Sequence, residues 1–146
     1  MARASERALA GSLGGWQRLV EQAPDDALRR IVRSYLSEAH RDHPEQGCAV
    51  AALGADVARQ GSEVRASVTQ GVGAHAALLS ELMPGATAEE RERQAWFTYA
   101  TLVGAVVLAR ALDDSRQSKA VLEAVAEGLL GGHRGRPAAE IAKARK

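Results

Sequence analysis

Residues 87–130 read TAEERERQAWFTYATLVGAVVLARALDDSRQSKAVLEAVAEGLL, and this stretch decides the fold. Thr87 is followed three residues later by Glu90, the spacing of a capping box, in which hydroxyl and carboxylate each satisfy an otherwise orphaned helix N–H. A helix is predicted over Ala88 to Leu112, roughly 37 Å long at about 1.5 Å per residue. Its first turns are charged, but Ala95 to Ala109 is almost wholly apolar. An apolar surface that wraps round a helix requires burial on more than one side. Asp113 and Asp114 end the helix, Ser115 is placed to cap the next one, and Arg116 to Leu130 carries apolar positions at Ala120, Val121, Ala124, Val125 and Leu129. Gly131 and Gly132 stop it. Gly104, Ala105, Ala109 and Ala111, with Ala120, Ala124 and Gly128, would let helices from two subunits approach closely in a four-helix bundle about a two-fold axis. The interface expected on this reading is Gly104, Ala105, Leu108, Ala111, Val121, Ala124, Val125 and Gly128. Arg110, inside the apolar run, would then need an acidic partner such as Asp113, Asp114 or Glu123.

Upstream, the pattern remains helical. No useful length of sequence alternates with period two, and β-branched residues are scattered, so strands have little support. The first helix, about residues 2 to 20, contains Gly11, Gly14 and Gly15, each costing about 1 kcal/mol relative to alanine, and so needs a packing partner. A second helix starts at APDDALRRIVRSYL, where Pro24 and Asp25 are start signals and Leu28, Ile31, Val32, Tyr35 and Leu36 share one face. It runs on until His43-Pro44, because proline biases its predecessor away from helix. Ala49 to Gln60 forms a short helix with a stripe of Val50, Leu53 and Val57. Gly61 closes it, and Ser62 caps a clearer one, Glu63 to Met83, with Val64, Val68, Val72, His75, Leu79 and Leu82 at spacings of three and four. The expectation is an all-α domain of six helices over residues 1–131, followed by a basic, disordered tail at 132–146.

Composition narrows the function classes. At 146 residues the chain is long enough to bury a real core. Residues 1–131 carry 14 basic and 17 acidic side chains, whereas 132–146 carry five basic and one acidic. The folded part is thus mildly acidic, which argues against a DNA-binding face on it, since duplex affinity comes largely from Lys and Arg. Cys48 is the single cysteine, so neither an internal disulfide framework nor a Cys-rich zinc site is available, and a reducing cytoplasmic setting fits. The longest apolar stretch, Leu102 to Ala109, falls far below the roughly 20 residues a membrane span requires. No phosphate loop, paired carboxylates or Ser/His/Asp set appears, and the Cys-x-x-Cys pair of helical thiol peroxidases is missing. Neither enzymatic activity nor a cofactor is expected.

The stretch YLSEAHRDHPEQGCAVAALGADVARQ, residues 35–60, followed by the Val/Ala/His/Leu helix, resembles the C-terminal domain of the TetR/AcrR family of transcriptional regulators. Tyr35, Leu36, His40, Arg41, Pro44, Gly47, Cys48, Ala52 and Leu53 carry the likeness, and the last two helices occupy the places where that family keeps its dimerisation helices. The resemblance implies a homodimer that senses a small apolar or amphipathic effector, most commonly as a repressor. It implies DNA contact only through a helix-turn-helix domain for which this sequence has no room ahead of Met1. The alternative is a ligand-free helical adaptor that forms mixed dimers with a full-length regulator.

Mostly apolar walls with a few polar groups describe small-molecule sites, and on that basis Trp16, Tyr35, His75, Trp96, Phe97 and Thr101 are the candidate pocket wall. The pocket is expected between the first, second, fourth and fifth helices. His75 has two readings: a group that hydrogen-bonds the ligand or responds to pH, or a core histidine bonded to a carbonyl or hydroxyl. Cys48, at the start of a short helix, reads as a buried structural thiol more readily than as a redox sensor. His40, Asp42 and His43 lack the i, i+4 spacing of paired metal ligands and read as a helix C-terminus, so no metal is expected.

Overall fold

Thr87 does cap the long helix: its hydroxyl accepts from the Glu90 N–H at 3.1 Å, and the Glu90 carboxylate accepts from the Thr87 N–H at 3.3 Å. The computed structural model describes residues 2 to 131, and among these lie seven α-helices. They are α1 (Ala2–Gln22), α2 (Ala27–Tyr35), α3 (Glu38–Asp42), α4 (Ala49–Val57), α5 (Ser62–Leu82), α6 (Ala88–Ala111) and α7 (Ser115–Gly131). Single 3-10 turns at Pro24–Asp26 and Pro44–Gln46 precede α2 and α4. No strand occurs among the described residues, and no helix among them is long and apolar enough to cross a membrane. The tail expected over 132–146 lies outside the described residues.

The count departs from six because the helix expected between Pro24 and His43 is broken. Ser37 takes an extended conformation, with φ −76° and ψ 152°, and restarts the chain as the N-cap of α3. Its hydroxyl accepts from the His40 N–H at 3.1 Å and donates to the Ser34 carbonyl at 2.8 Å. The His40 ring then donates from Nδ1 to the Tyr35 carbonyl at 2.6 Å. Side chains have taken over backbone hydrogen bonds that a continuous helix would make itself, and hydrophobic periodicity cannot register such a substitution. Two caps also differ from expectation. Asp114, not Ser115, caps α7 by accepting from the Gln117 N–H at 3.0 Å, and Gly61 precedes α5 while Ser62 is its first residue.

Packing follows chain order with one insertion. α1 lies on α5, α5 on α6 and α6 on α7, while α2 sits against α1, α5, α6 and α7, and α4 covers part of α6. Leu9, Ile31, Val32, Leu79, Leu102 and Val106 are fully buried between them. Each such side chain contributes about 1.5–3 kcal/mol of transfer free energy. α1 and α5 meet closely because Gly71 has no Cβ: one placed there would lie 2.6 Å from Leu9 Cδ1. The three glycines that weaken α1 are thus offset by its docking on α5. α4 turns differently from its expected stripe: Ala51 is buried and Leu53 is exposed.

Candidate functional site

Four rings from four helices fill the space where the pocket was expected. Trp16 of α1 stands edge-on to His75 of α5, with ring centroids 4.8 Å apart, and to Tyr99 of α6, at 5.8 Å. Tyr35 of α2 meets the same indole at 6.0 Å, and His75 stacks on Tyr99 at 5.5 Å. All four are buried. His75 is occupied on both nitrogens: Nδ1 donates to the Gly71 carbonyl at 2.8 Å, and Nε2 accepts from the Ser12 hydroxyl at 3.2 Å. Burial holds its pKa below the ordinary value against the opposing pull of the Gly71 carbonyl, so the neutral ring ties α5 to α1. Burial, reinforced by the neighbouring Cys48, pushes the Tyr35 and Tyr99 phenols far above their ordinary range.

Open space lies on the other side of Trp16 and Tyr35. A cleft of about 680 Å³ runs between α1 on one wall and the end of α2, α3 and the Pro44–Cys48 segment on the other. That volume suits a small organic ligand, for which sites of about 300–1,000 Å³ are usual. Trp16, Tyr35 and Leu19 supply apolar surface, and Arg7, Arg18, Ser12 and Gln22 supply polar groups. Gly11 and Gly15 also face it, so stretches of α1 present bare backbone to the cleft.

The far wall is held by His40. Its Nδ1–H is committed to the Tyr35 carbonyl, and its Nε2 accepts from the Cys48 N–H at 3.0 Å. This satisfies one of the orphan N–H groups at the start of α4. Gly47 makes the approach possible, because a Cβ there would overlap Nε2 and Cδ2 of the ring. Burial lowers the His40 pKa, and the nearby Arg110 charge lowers it further, which suits a ring that must accept a hydrogen bond. Cys48 is buried beneath, its sulfur 3.8 Å from the Tyr99 hydroxyl.

Arg110 does not pair with Asp113, Asp114 or Glu123. Its Nε donates to the Arg41 carbonyl at 2.9 Å and its Nη2 to the His40 carbonyl at 2.7 Å, so the cation sits at the negative end of α3. Arg41 in turn donates to Ser118 Oγ at 3.1 Å, and Ser118 donates to the Ala109 carbonyl at 2.6 Å. The cleft wall is thereby bolted to both α6 and α7.

Those two helices carry an exposed apolar face. Along α6, Phe97, Thr101, Gly104, Leu108 and Ala111 recur at spacings of four and three, with Trp96, Ala100, Val103 and Val107 as an adjoining row. Phe97 is 63% exposed, Leu108 52%, Val107 47% and Trp96 43%, high values for such side chains. Val121, Ala124, Val125 and Gly128 continue the surface on α7, half-buried or exposed.

The pocket residues expected from sequence therefore fall in two places. Trp16 and Tyr35 line the cleft, with His75 behind the indole. Trp96, Phe97 and Thr101 lie on the outer side of α6, where Phe97 borders a notch of about 140 Å³ beside Gly128. Of the expected interface residues, Gly104, Leu108, Ala111, Val121, Ala124, Val125 and Gly128 share the outer face, whereas Ala105 is buried within its own chain. Sequence reasoning missed Arg7, Gly11, Gly15, Arg18 and the His40–Gly47 contact. The glycine spacing in α1 is the available signal: Gly11 and Gly15 weaken the helix and at the same time leave its backbone bare on one side.

Residues 24–125 match the family model described as Tetracyclin repressor-like, C-terminal domain. No curated protein and no solved structure matches the chain.

Proposed function

The chain belongs to the tetracyclin repressor-like C-terminal domain family, and from that premise we propose that it is the effector-sensing and dimerisation domain of a transcription regulator, with repression the commoner mode of the family. The observation that carries this reading is the apolar outer face of α6 and α7, with Phe97 and Leu108 more than half exposed. Single exposed apolar side chains are ordinary, but a two-row stripe extending across two helices marks an interaction surface. Its heptad-like spacing and small residues at Gly104, Ala111, Ala124 and Gly128 suit a second copy packed about a two-fold axis. The effector site in this reading is the cleft between α1 and α3, whose size and mixed lining suit a small amphipathic molecule. The route between them is the bolt from His40 and Arg41 to Arg110, which adjoins Ala111 and lies two residues from Leu108.

Native mass spectrometry of the whole chain tests both halves together, since it reports subunit number and any retained organic ligand. A dimer carrying a substoichiometric adduct supports the reading. A bare monomer at micromolar concentration overturns it.

A further inference from the structure

On the α1 wall of the cleft, positions 7, 11, 15 and 18 recur at spacings of four, four and three, and read Arg, Gly, Gly, Arg. The arginines are exposed and stand roughly 16 Å apart along the helix at about 1.5 Å per residue, with no side chain between them on that line. Arg18, though exposed, lies along the helix. Its guanidinium folds back over the bare backbone, so that a Cβ on Gly14 would lie 3.6 Å from Nη1 and one on Gly15 3.9 Å from Nη2. Among the described residues neither Arg7 nor Arg18 has a carboxylate partner. The opposite wall holds one carboxylate, Glu45, already engaged by His43 Nδ1 at 3.2 Å and Gln46 Nε2 at 3.4 Å. His40, also on that wall, is held towards its neutral form by burial, by the Arg110 charge and by the hydrogen bond its Nε2 accepts from the Cys48 N–H. The cleft thus combines an aromatic floor of Trp16 and Tyr35 with two arginines that form no ion pair among the described residues, against the single carboxylate of Glu45 on the far wall.

We propose that this cleft selects an anionic amphiphile, a molecule with an apolar body and a single carboxylate head, the head held by Arg18 and the body lying against Trp16, Tyr35 and Leu19. A planar guanidinium matches a carboxylate with two parallel hydrogen bonds, and one such fork answers one negative charge. Gly11 and Gly15 are explained by the same arrangement, since side chains there would occupy the ligand's path between the arginines. The proposal rests on the reading of the cleft as the effector site.

The test uses 4-butylbenzoate and its uncharged counterpart 4-butylbenzamide, titrated calorimetrically into the whole chain and into Arg18→Gln. The Trp16 indole N–H signal, assigned with a Trp96→Phe variant, reports where each probe binds. The expected result is a benzoate affinity about tenfold above that of the amide, the equivalent of one charge-assisted hydrogen-bonded contact. Arg18→Gln removes that difference by weakening benzoate alone, and both probes shift Trp16. Equal affinities, with Trp16 shifted by both, overturn the anion preference and leave the effector cleft standing. No Trp16 shift with either probe at millimolar concentration overturns both.

Discussion

The Arg110 guanidinium on α6 donates to the main-chain carbonyl of His40 at 2.7 Å, across 70 residues of sequence, while the His40 ring accepts from the Cys48 N–H on the other side. One residue of the cleft wall is therefore tied to α6 through its backbone and to α4 through its side chain. Arg110→Ala would leave the His40 and Arg41 carbonyls short of partners at the end of α3. Hydrogen bonds to charged groups are worth about 1.5–3 kcal/mol each, so a loss of about 2–3 kcal/mol is expected. Urea denaturation measures it, and a variant within about 0.5 kcal/mol of wild type, the range of an ordinary surface change, would show that the bolt carries no weight. Arg110→Lys keeps the charge but not the fork and is expected to fall between the two.

Gly47→Ala should be costly for a reason unrelated to backbone freedom, since Gly47 has φ −101° and ψ −162°, which any residue can adopt. The added methyl collides with the His40 ring. Overpacking of this kind costs about 1–3 kcal/mol. In a His40→Ala background the same substitution should cost little, and a double-mutant cycle with no coupling between the two sites would refute the contact as its cause.

Stability should depend on pH through His40 and His75, both held below the ordinary histidine value of 6.5, chiefly by burial. Below pH 6.5 the unfolded chain binds protons that the folded chain refuses, so the folded state loses stability as pH falls through 6.5 towards the folded pKa values. Above 6.5 both states are neutral and this contribution is fully present. Melting temperatures measured between about pH 5 and 7.5, the window in which histidine titrates, should rise with pH. His40→Gln should flatten part of that slope, and an unchanged slope would assign the effect elsewhere.

Leu108→Glu places a charge on the outer face of α6 without touching the core, because Leu108 is 52% exposed. Interface hot spots cost about 2 kcal/mol or more, a roughly thirtyfold weaker association. Sedimentation velocity should show monomer with an unchanged helical circular-dichroism spectrum. Gly104→Leu has open space around its new side chain in the single chain and should likewise fold, while preventing close helix approach across the proposed two-fold axis. Two variants that sediment like wild type would remove α6 from the interface.

Gly11→Leu separates the cleft from the fold. A Cβ at Gly11 meets nothing within 4 Å, and leucine improves an exposed helix position by about 0.7 kcal/mol relative to glycine. The variant should be at least as stable as wild type yet unable to bind 4-butylbenzoate. Calorimetric binding equal to wild type would place the ligand elsewhere.

Local chemistry was legible in the sequence because its signals are local. The Thr87–Glu90 capping box, the ends at Pro84-Gly85 and Asp113-Asp114, and the apolar stripes of α5 and α6 each depend on residues within a turn or two. The family resemblance on residues 35–60 lies within the matched span of 24–125. Helix type, approximate ends and the presence of two apolar helices at the C-terminal side all follow from such short-range patterns. The rotation of each helix about its axis is set by packing against its neighbours. On a helix apolar all round, spacing does not say which side turns inward, so Ala105 went in while Trp96 and Phe97 went out. The partners of Arg110 and His40 were likewise chosen by proximity between segments far apart in the chain, and the break at Ser37 by side chains replacing backbone bonds, neither of which periodicity encodes.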